Sequence, residues 1–284
     1  MIYGSVSTRR LSRYTRTSKR MAIVLTQRDR EILQALEQFN LLSATQLCHM
    51  VFGGSAAISY CRERLKRLFH ARHVDRLFLF RVPTGSPLCV YTLKRRNSAI
   101  RSQYFLEHTL AITDFILAVM GGLRGTNTEL TSIKSEAELR KNPIRVNAGG
   151  KLAAVIPDCY LSLRHRIDGQ TYQINWCVEI DRATEAARAF RRKVRAYLAF
   201  AHGPFQRAFK SSALTVIVLT TAGEKRVATL KKAIETEVHA ASALDSADLF
   251  RIGTRSGVLE TEPLLQTACF RVPFKKEPVS LLRP

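Results

Sequence analysis

The sequence predicts an α/β protein with an N-terminal winged helix and a second domain built on a mixed sheet flanked by helices. Two observations predict it. Apolar residues recur with helical spacing three times before residue 72 and with strand spacing directly after, and from residue 100 onward extended apolar segments alternate with helical ones.

The first helix is announced by TQRDREILQALEQF. Thr26 with Asp29 three residues later is a capping-box-like start, and Ile32, Leu33, Leu36 and Phe39 mark one apolar face. Ser43 is placed to cap a second helix with Leu47 and Val51 inward, and Gly53 and Gly54 stop it. A third helix is expected over Ala56 to Ala71, its buried stripe formed by Ile58, Cys61, Leu65 and Leu68. Arg62, Arg64, Lys66 and Arg67 are read as its outward surface. Val74, Leu77 and Leu79 then lead through Arg81 to the turn PTGSP, after which Leu88, Val90, Tyr91 and Leu93 complete a hairpin followed by Lys94, Arg95 and Arg96. Three helices and a hairpin make a winged helix. The basic helix is the candidate reader of double-stranded DNA, with Arg81, Lys94, Arg95 and Arg96 as further phosphate contacts; a winged helix used for protein contacts is the competing reading.

Charge supports a polyanionic partner. Of 284 residues, 45 are Lys or Arg and 23 Asp or Glu, a formal net charge of +22. Residues 1–100 carry 18 basic and 5 acidic side chains, so the excess is densest at the front. Such a field attracts phosphates and gives a salt-dependent affinity. Residues 1–24, with six basic side chains up to Arg20, are expected to form a basic flexible arm ahead of a DNA-binding domain at 25–96 and an α/β domain at 97–284. The opening does not read as a secretory signal, the longest apolar stretches, near Ile112 to Met120 and Ala213 to Leu219, are read as too short to span a bilayer, and a cytoplasmic location is expected. Cys48, Cys61, Cys89, Cys159, Cys177 and Cys269 contain no CxxC pair and are read as reduced, packed thiols. A homodimer reading a palindrome is compatible with the pattern, although no heptad repeat enforces it.

The second domain should open with a helix centred on Tyr104 to Met120. Extended segments follow near Leu130 to Leu139, Leu152 to Leu163 and Tyr172 to Asp181. A helix from Thr184 to about Ala201, a strand Ala213 to Thr220, a helix Glu224 to Ala240 and a last strand near Asp248 to Ile252 complete it, with Cys269, Phe270, Val272 and Phe274 available as an edge strand. The chemistry-bearing residues are Asp158 in AVIPDCYL and Glu179 and Asp181 in WCVEIDRATE. Strand alternation puts Glu179 and Asp181 on one face. With Asp158 beside them, three hard oxygen donors converge, as magnesium requires, and such an ion would activate water against a phosphodiester. Lys193 borders the apolar face of the following helix and leans toward these carboxylates, where it would stabilise charge on phosphate. Ordinary strand-end ion pairing is the alternative for the whole cluster. Glu136 and Glu138, alternating on an expected strand, are candidates for a further acid.

The segments TQRDREIL, LLSATQL, CRERLKRLF, the strand end at Tyr91, His108 with LAITDF, IPD, VEIDRATE and the helix carrying Lys193 resemble, in that order, the replication-relaxation family of plasmid and mobile-element proteins, over roughly Leu25 to Phe200. The resemblance implies an N-terminal winged helix and an association with plasmid replication, DNA relaxation or transfer. The second domain is also similar to the restriction-endonuclease-like fold. That similarity places the proline–aspartate element on Pro157 and Asp158 and the second acid on Glu179, while the position of the usual lysine holds Asp181, leaving Lys193 to act from the helix. Three functions follow: duplex DNA binding in replication, maintenance or transfer of a mobile element; magnesium-dependent DNA cleavage by Asp158, Glu179, Asp181 and Lys193; or a DNA-bound adaptor that recruits a relaxase, recombinase or replication protein.

Overall fold

The computed structural model describes residues 12, 15–79, 87–93, 102–184, 186–209, 211, 213–259 and 270–281. The chain divides into two compact units, Met1–Thr113 and Asp114–Pro284.

In the first unit, α1 (Gln27–Phe39) starts on the Thr26–Asp29 capping box, and its end turns at Asn40 with φ 65°. A short strand β1 (Leu42–Ser43) leads into α2 (Ala44–Phe52), capped by Ser43 and Gln46 in the same reciprocal manner and stopped by left-handed Gly53. After a single 3-10 turn comes α3 (Ile58–His70), then β2 (Val74–Leu79) and β3 (Leu88–Leu93), which form a three-stranded sheet in the order β1-β3-β2. Ile32, Leu36, Leu47, Cys61, Leu65 and Leu68 close the core between the helices and this sheet, as their spacing requires.

One charged pair sits inside that core. Asp29 is fully buried and Arg64 is 8% exposed. The Arg64 guanidinium donates through Nε to Asp29 Oδ1 at 3.0 Å and through Nη2 to Oδ2. Asp29 Oδ2 also accepts from the Thr26 amide and hydroxyl, each at 2.8 Å. Burial alone would push this carboxyl up; Arg64 and Thr26 outweigh it and hold Asp29 below the usual carboxylate range. The expectation that Arg64 faces DNA is therefore corrected. Residue 64 lies three after Cys61 and four before Leu68, within the buried stripe, and its long side chain reaches Asp29 across the helix pair.

The basic arm is also corrected over its described part. Arg16 donates to Val74 O at 2.9 Å, pairs with Asp75 and lies 4.3 Å over the Phe69 ring. Arg20 donates to Ala71 O, Arg72 to Ser18 O, and Thr17 N–H to His70 Nδ1. Two of these bonds end on carbonyls past the C-terminal end of α3, one on the His70 ring and one on the segment's own Ser18 carbonyl, so residues 15–21 are strapped down rather than free.

Helix α4 (Gln103–Gly122) crosses the division between units, which falls inside it instead of near residue 97. Its first half belongs to the first unit because Leu106 and Leu110 pack with Leu41, Leu79 and Val90, and Gln46 donates to Leu110 O at 3.0 Å. At 20 residues α4 is longer than the apolar stretches read from sequence, and by length and composition it could cross a membrane. Leu106, Leu110, Phe115, Ile116 and Val119 are buried in protein, as in a core helix.

The second unit continues with β4 (Thr128–Ser135), α5 (Glu136–Leu139), β5 (Ile144–Ala148), β6 (Lys151–Val155), β7 (Cys159–Ile167), β8 (Gln170–Asp181), α6 (Ala187–Ala201), α7 (Pro204–Phe209), β9 (Leu214–Thr220), α8 (Glu224–Ala240), β10 (Phe250–Thr254) and α9 (Arg255–Leu259). The five-stranded sheet runs β10-β9-β8-β7-β4. It is mixed, with β8, β9 and β10 parallel and β4, β7 and β8 antiparallel. Helices α6 and α8 cover one face, packing Phe190, Val194, Leu198, Val227, Leu230 and Ile234 on Tyr160, Cys177, Val216, Val218 and Phe250. Three expected elements differ. The segment 130–139 ends as a strand at Ser135, which caps α5 through Glu138. The segment 152–163 breaks at Pro157 and Asp158 into β6, paired only with β5, and β7. The tail forms single bridges, Ile252 with Arg271 and Phe270 with Val279, rather than a strand. Cys48, Cys61, Cys89, Cys159 and Cys177 are buried thiols, and Cys269 lies outside the described residues.

The Asp29–Arg64 pair gives a stability prediction. Asp29→Asn leaves a buried guanidinium without its counter-charge and should cost about 3–5 kcal/mol at neutral pH in urea unfolding. Because the native carboxyl is held low, its contribution is present above the ordinary value near 3.8 and is lost as pH falls through the lowered native value. The asparagine protein should lack that acid-sensitive component, and an unchanged acid limb would refute the assignment.

Candidate functional site

The end of β8 carries two of the candidate acids, Glu179 and Asp181. Its burial runs unbroken from Asn175 to Asp181, because β7 and β9 flank it. Alternation sends Cys177, Glu179 and Asp181 to the face covered by α6 and α8. Cys159 faces Val178 across the antiparallel pair, so extending the register by one residue brings Asp158 opposite Glu179. Pro157 ends the preceding extended run. Asp158 is then fixed by two bonds to β8: its amide donates to Val178 O at 3.0 Å, and its Oδ2 accepts from Ile180 N–H at 2.7 Å.

Glu179 is 5% exposed and both its oxygens are engaged. Lys193 Nζ donates to Oε2 at 2.9 Å and Tyr197 Oη donates to Oε1 at 2.6 Å. These partners are four residues apart on α6 and so share one helical face. Burial pushes the Glu179 carboxyl up, the neighbouring Asp158 charge adds to it, and Lys193 and Tyr197 offset part of the rise, leaving it at about 7. Burial and the adjacent carboxylate raise the Tyr197 hydroxyl in turn. The flanking thiols of Cys159 and Cys177 are pushed up chiefly by burial, which makes them packing groups rather than nucleophiles.

Asp181 does not join this set. It lies one strand repeat further, about 7 Å along β8, beside Thr220 of β9 and the first turns of α8. Arg226 grips it with Nε at 2.9 Å and Nη2 at 2.8 Å, and Thr220 Oγ1 donates at 2.8 Å. Burial pushes it up, but these donors win and hold it below the usual range. Among the described residues no group of three or more His, Cys, Asp or Glu is arranged to hold a metal ion. The expected three-carboxylate centre is thus replaced by two carboxylates, Asp158 and Glu179, with Lys193 and Tyr197 attached. Glu136 and Glu138 are corrected too: Glu138 caps α5, and Glu136 pairs with Arg140.

On α3 of the first unit, Arg62 and Arg67 are exposed, while Lys66 is half-buried. Glu63 lies among them, 2.6 Å from Lys66 Nζ and 3.4 Å from Arg67 Nε. Arg64 is withdrawn into its buried pair. Tyr60, 53% exposed and edge-on to Phe52 at 5.7 Å between ring centres, adds an aromatic side chain that the charge pattern did not flag. Arg81, Lys94, Arg95 and Arg96 lie outside the described residues.

Tyr197 and Arg226 were missed as site residues. Tyr197 had a signal, its i+4 spacing from Lys193. Arg226 had none, because only the β9–α8 connection brings it back over β8.

Compared with protein families, the chain matches the family described as replication-relaxation over residues 33–214, more than half its length, and it belongs to that family. Membership associates it with replication or mobile-element processes. Among curated proteins none matches.

The two donors on Glu179 should be separable by titration. Lys193→Met and Tyr197→Phe each remove a group that lowers the carboxyl, so carbon-13 NMR of the Glu179 side chain should place its midpoint above 7 in both variants. A midpoint unmoved in both would show that neither contact forms in solution.

Proposed function

We propose that this member of the replication-relaxation family binds duplex DNA through the exposed face of α3, acting in replication, maintenance or transfer of a mobile element. The observation that carries the reading is the division of α3 into two surfaces. Cys61, Arg64, Leu65 and Leu68 face the core, and Arg62 and Arg67 with Tyr60 face solvent. The order of three helices and a hairpin, with β1 joining β3 and β2 in one small sheet, supports a winged helix, in which such a helix enters the major groove. Arginine there reaches base edges or phosphates, and a tyrosine adds an apolar contact. Arg16, anchored to Val74 O and Asp75, and Arg20, which gives one N–H to Ala71 O, lie on the segment preceding α1 and are not counted with the α3 face.

A second reading is favoured by one specific juxtaposition, that of Asp158, Glu179 and Lys193. Two close carboxylates, with Glu179 raised to about 7 by burial first and by the Asp158 charge second, form an oxygen donor set that a divalent cation would neutralise. Asp158 and Glu179 would hold magnesium, which when bound polarises a phosphodiester and lowers the pKa of attacking water. Lys193, 43% exposed along its side chain, favours the ionised form of Glu179 and presents its ammonium to incoming phosphate. This arrangement supports a restriction-endonuclease-like second unit with its lysine on the helix.

Charge reversal of Arg62 and Arg67 together should weaken duplex binding at least about tenfold in a gel shift, and each phosphate contact removed by alanine should lower the salt slope by about 0.9. Undiminished binding would place the DNA surface elsewhere. For the second reading, plasmid cleavage should require magnesium and vanish in Asp158→Ala and Glu179→Ala, whereas Asp181→Asn should mainly lower thermal stability by freeing Arg226. Cleavage that survives both alanine substitutions would exclude the pair as ligands.

A further inference from the structure

The segment after residue 270 is built onto the edge of the second unit's sheet. Arg271 and Ile252 exchange backbone bonds at 2.7 and 2.9 Å, Phe270 and Val279 exchange bonds at 2.8 and 3.1 Å, and the Lys275 amide donates to Val272 O. Val272 and Pro273 are buried, so the turn between these anchors is pinned at its base. At its tip stands Phe274, 50% exposed, with φ 61°. A bulky aromatic in the left-handed region is costly and persists only when its surroundings enforce it. Glu235 of α8 does so, accepting the Phe274 amide at 2.8 Å while pairing with Lys231 at 3.0 Å.

The ring borders an open cleft of about 570 Å³ between α8 and this turn. Lys231, Arg271, Lys275 and Lys276 line it against Glu224 and Glu235, so cations outnumber anions by two. A protein-binding patch would call for contiguous apolar surface around the ring. Here the half-exposed ring stands beside Arg271 and Lys276, with Lys231 paired to Glu235 and Lys275 to Asp248 at 2.8 Å, a combination of aromatic and cations that unpaired nucleic acid recognises: a base stacks on the ring and flanking phosphates meet the cations. Duplex bases are already stacked on one another and offer no free face.

We propose that Phe274 and the basic cleft beside it form a second nucleic-acid contact, specific for single-stranded DNA and separate from the duplex-binding face of α3. The site goes beyond the duplex reading and does not depend on it. Its function would be to hold a displaced or melted strand.

The test is fluorescence anisotropy of the full chain with a labelled deoxythymidine oligomer, an abasic strand of equal length, and a blunt duplex. Phe274→Leu should weaken thymidine-strand binding about tenfold and abasic-strand or duplex binding less than twofold, while Phe274→Tyr restores it. Lys276→Glu should weaken both single strands. The same Phe274 dependence should persist in an Arg62→Glu, Arg67→Glu protein, which separates this site from α3. Equal binding of the thymidine strand by wild type and Phe274→Leu overturns the proposal, as does an equal loss on the abasic strand. Phe274→Tyr and Lys276→Glu keep the test decisive if the leucine protein fails to fold.

Discussion

A carboxylate placed on a covered sheet face must be neutralised, and this requirement organises the second unit. Strand β8 brings Glu179 and Asp181 under the helical layer. Burying an unpaired carboxylate costs several kcal/mol, so the covering helices have to supply partners at those points. Helix α6 supplies Lys193 and Tyr197 to the first, and α8 supplies Arg226 to the second. The two acids then differ in character although they differ by only one strand repeat. Asp181 has a bidentate cation and a hydroxyl and stays ionised. Glu179 has one lysine, one phenol and an adjacent aspartate, and its carboxyl rises to about 7. The proposed cleavage reading therefore draws on Glu179, beside the part-exposed Lys193, and leaves Asp181 to the scaffold.

The same rule operates in the first unit, where Asp29 serves both as the cap of α1 and as the partner of Arg64. It also disciplines the reading of net charge. An excess of +22 invites every arginine to be assigned to DNA. Arg64 is consumed inside the core, and Arg16, Arg20 and Arg72 donate to backbone carbonyls. What remains solvent-facing on α3 is the smaller set of Arg62 and Arg67 with Lys66 at its border.

Much of the local structure was legible because it depends on neighbours in sequence. The capping boxes at Thr26 and Ser43 need only a residue three positions on, and the stripes on α1 and α3 need only helical spacing. Gly149 and Gly150 join β5 to β6 with φ of 64° and 80°, a turn that a glycine pair signals directly. Asp168-Gly169, both with positive φ, joins β7 to β8 and carries an equally clear hairpin signal that the strand assignment passed over. The break at Pro157 and the cap at Ser135 were readable in principle but were masked by apolar residues on either side.

The sequence by itself determined most of the helices and strands, where the basic residues of the first hundred concentrate, and that Asp158, Glu179 and Lys193 lie on neighbouring segments that could meet. Tertiary structure alone decided which of these charges are available. Strand alternation put Glu179 and Asp181 on one face, but the parallel register of β9 and the return of α8 placed Thr220 and Arg226 on Asp181, while α6 placed Lys193 and Tyr197 on Glu179. Position 64 looks basic and helical in sequence, and only the approach of α1 turns it inward. The physical reason is common to both cases. Charge is written residue by residue, whereas its neutralisation depends on contacts across tens of residues, such as 45 between Asp181 and Arg226 and 35 between Asp29 and Arg64.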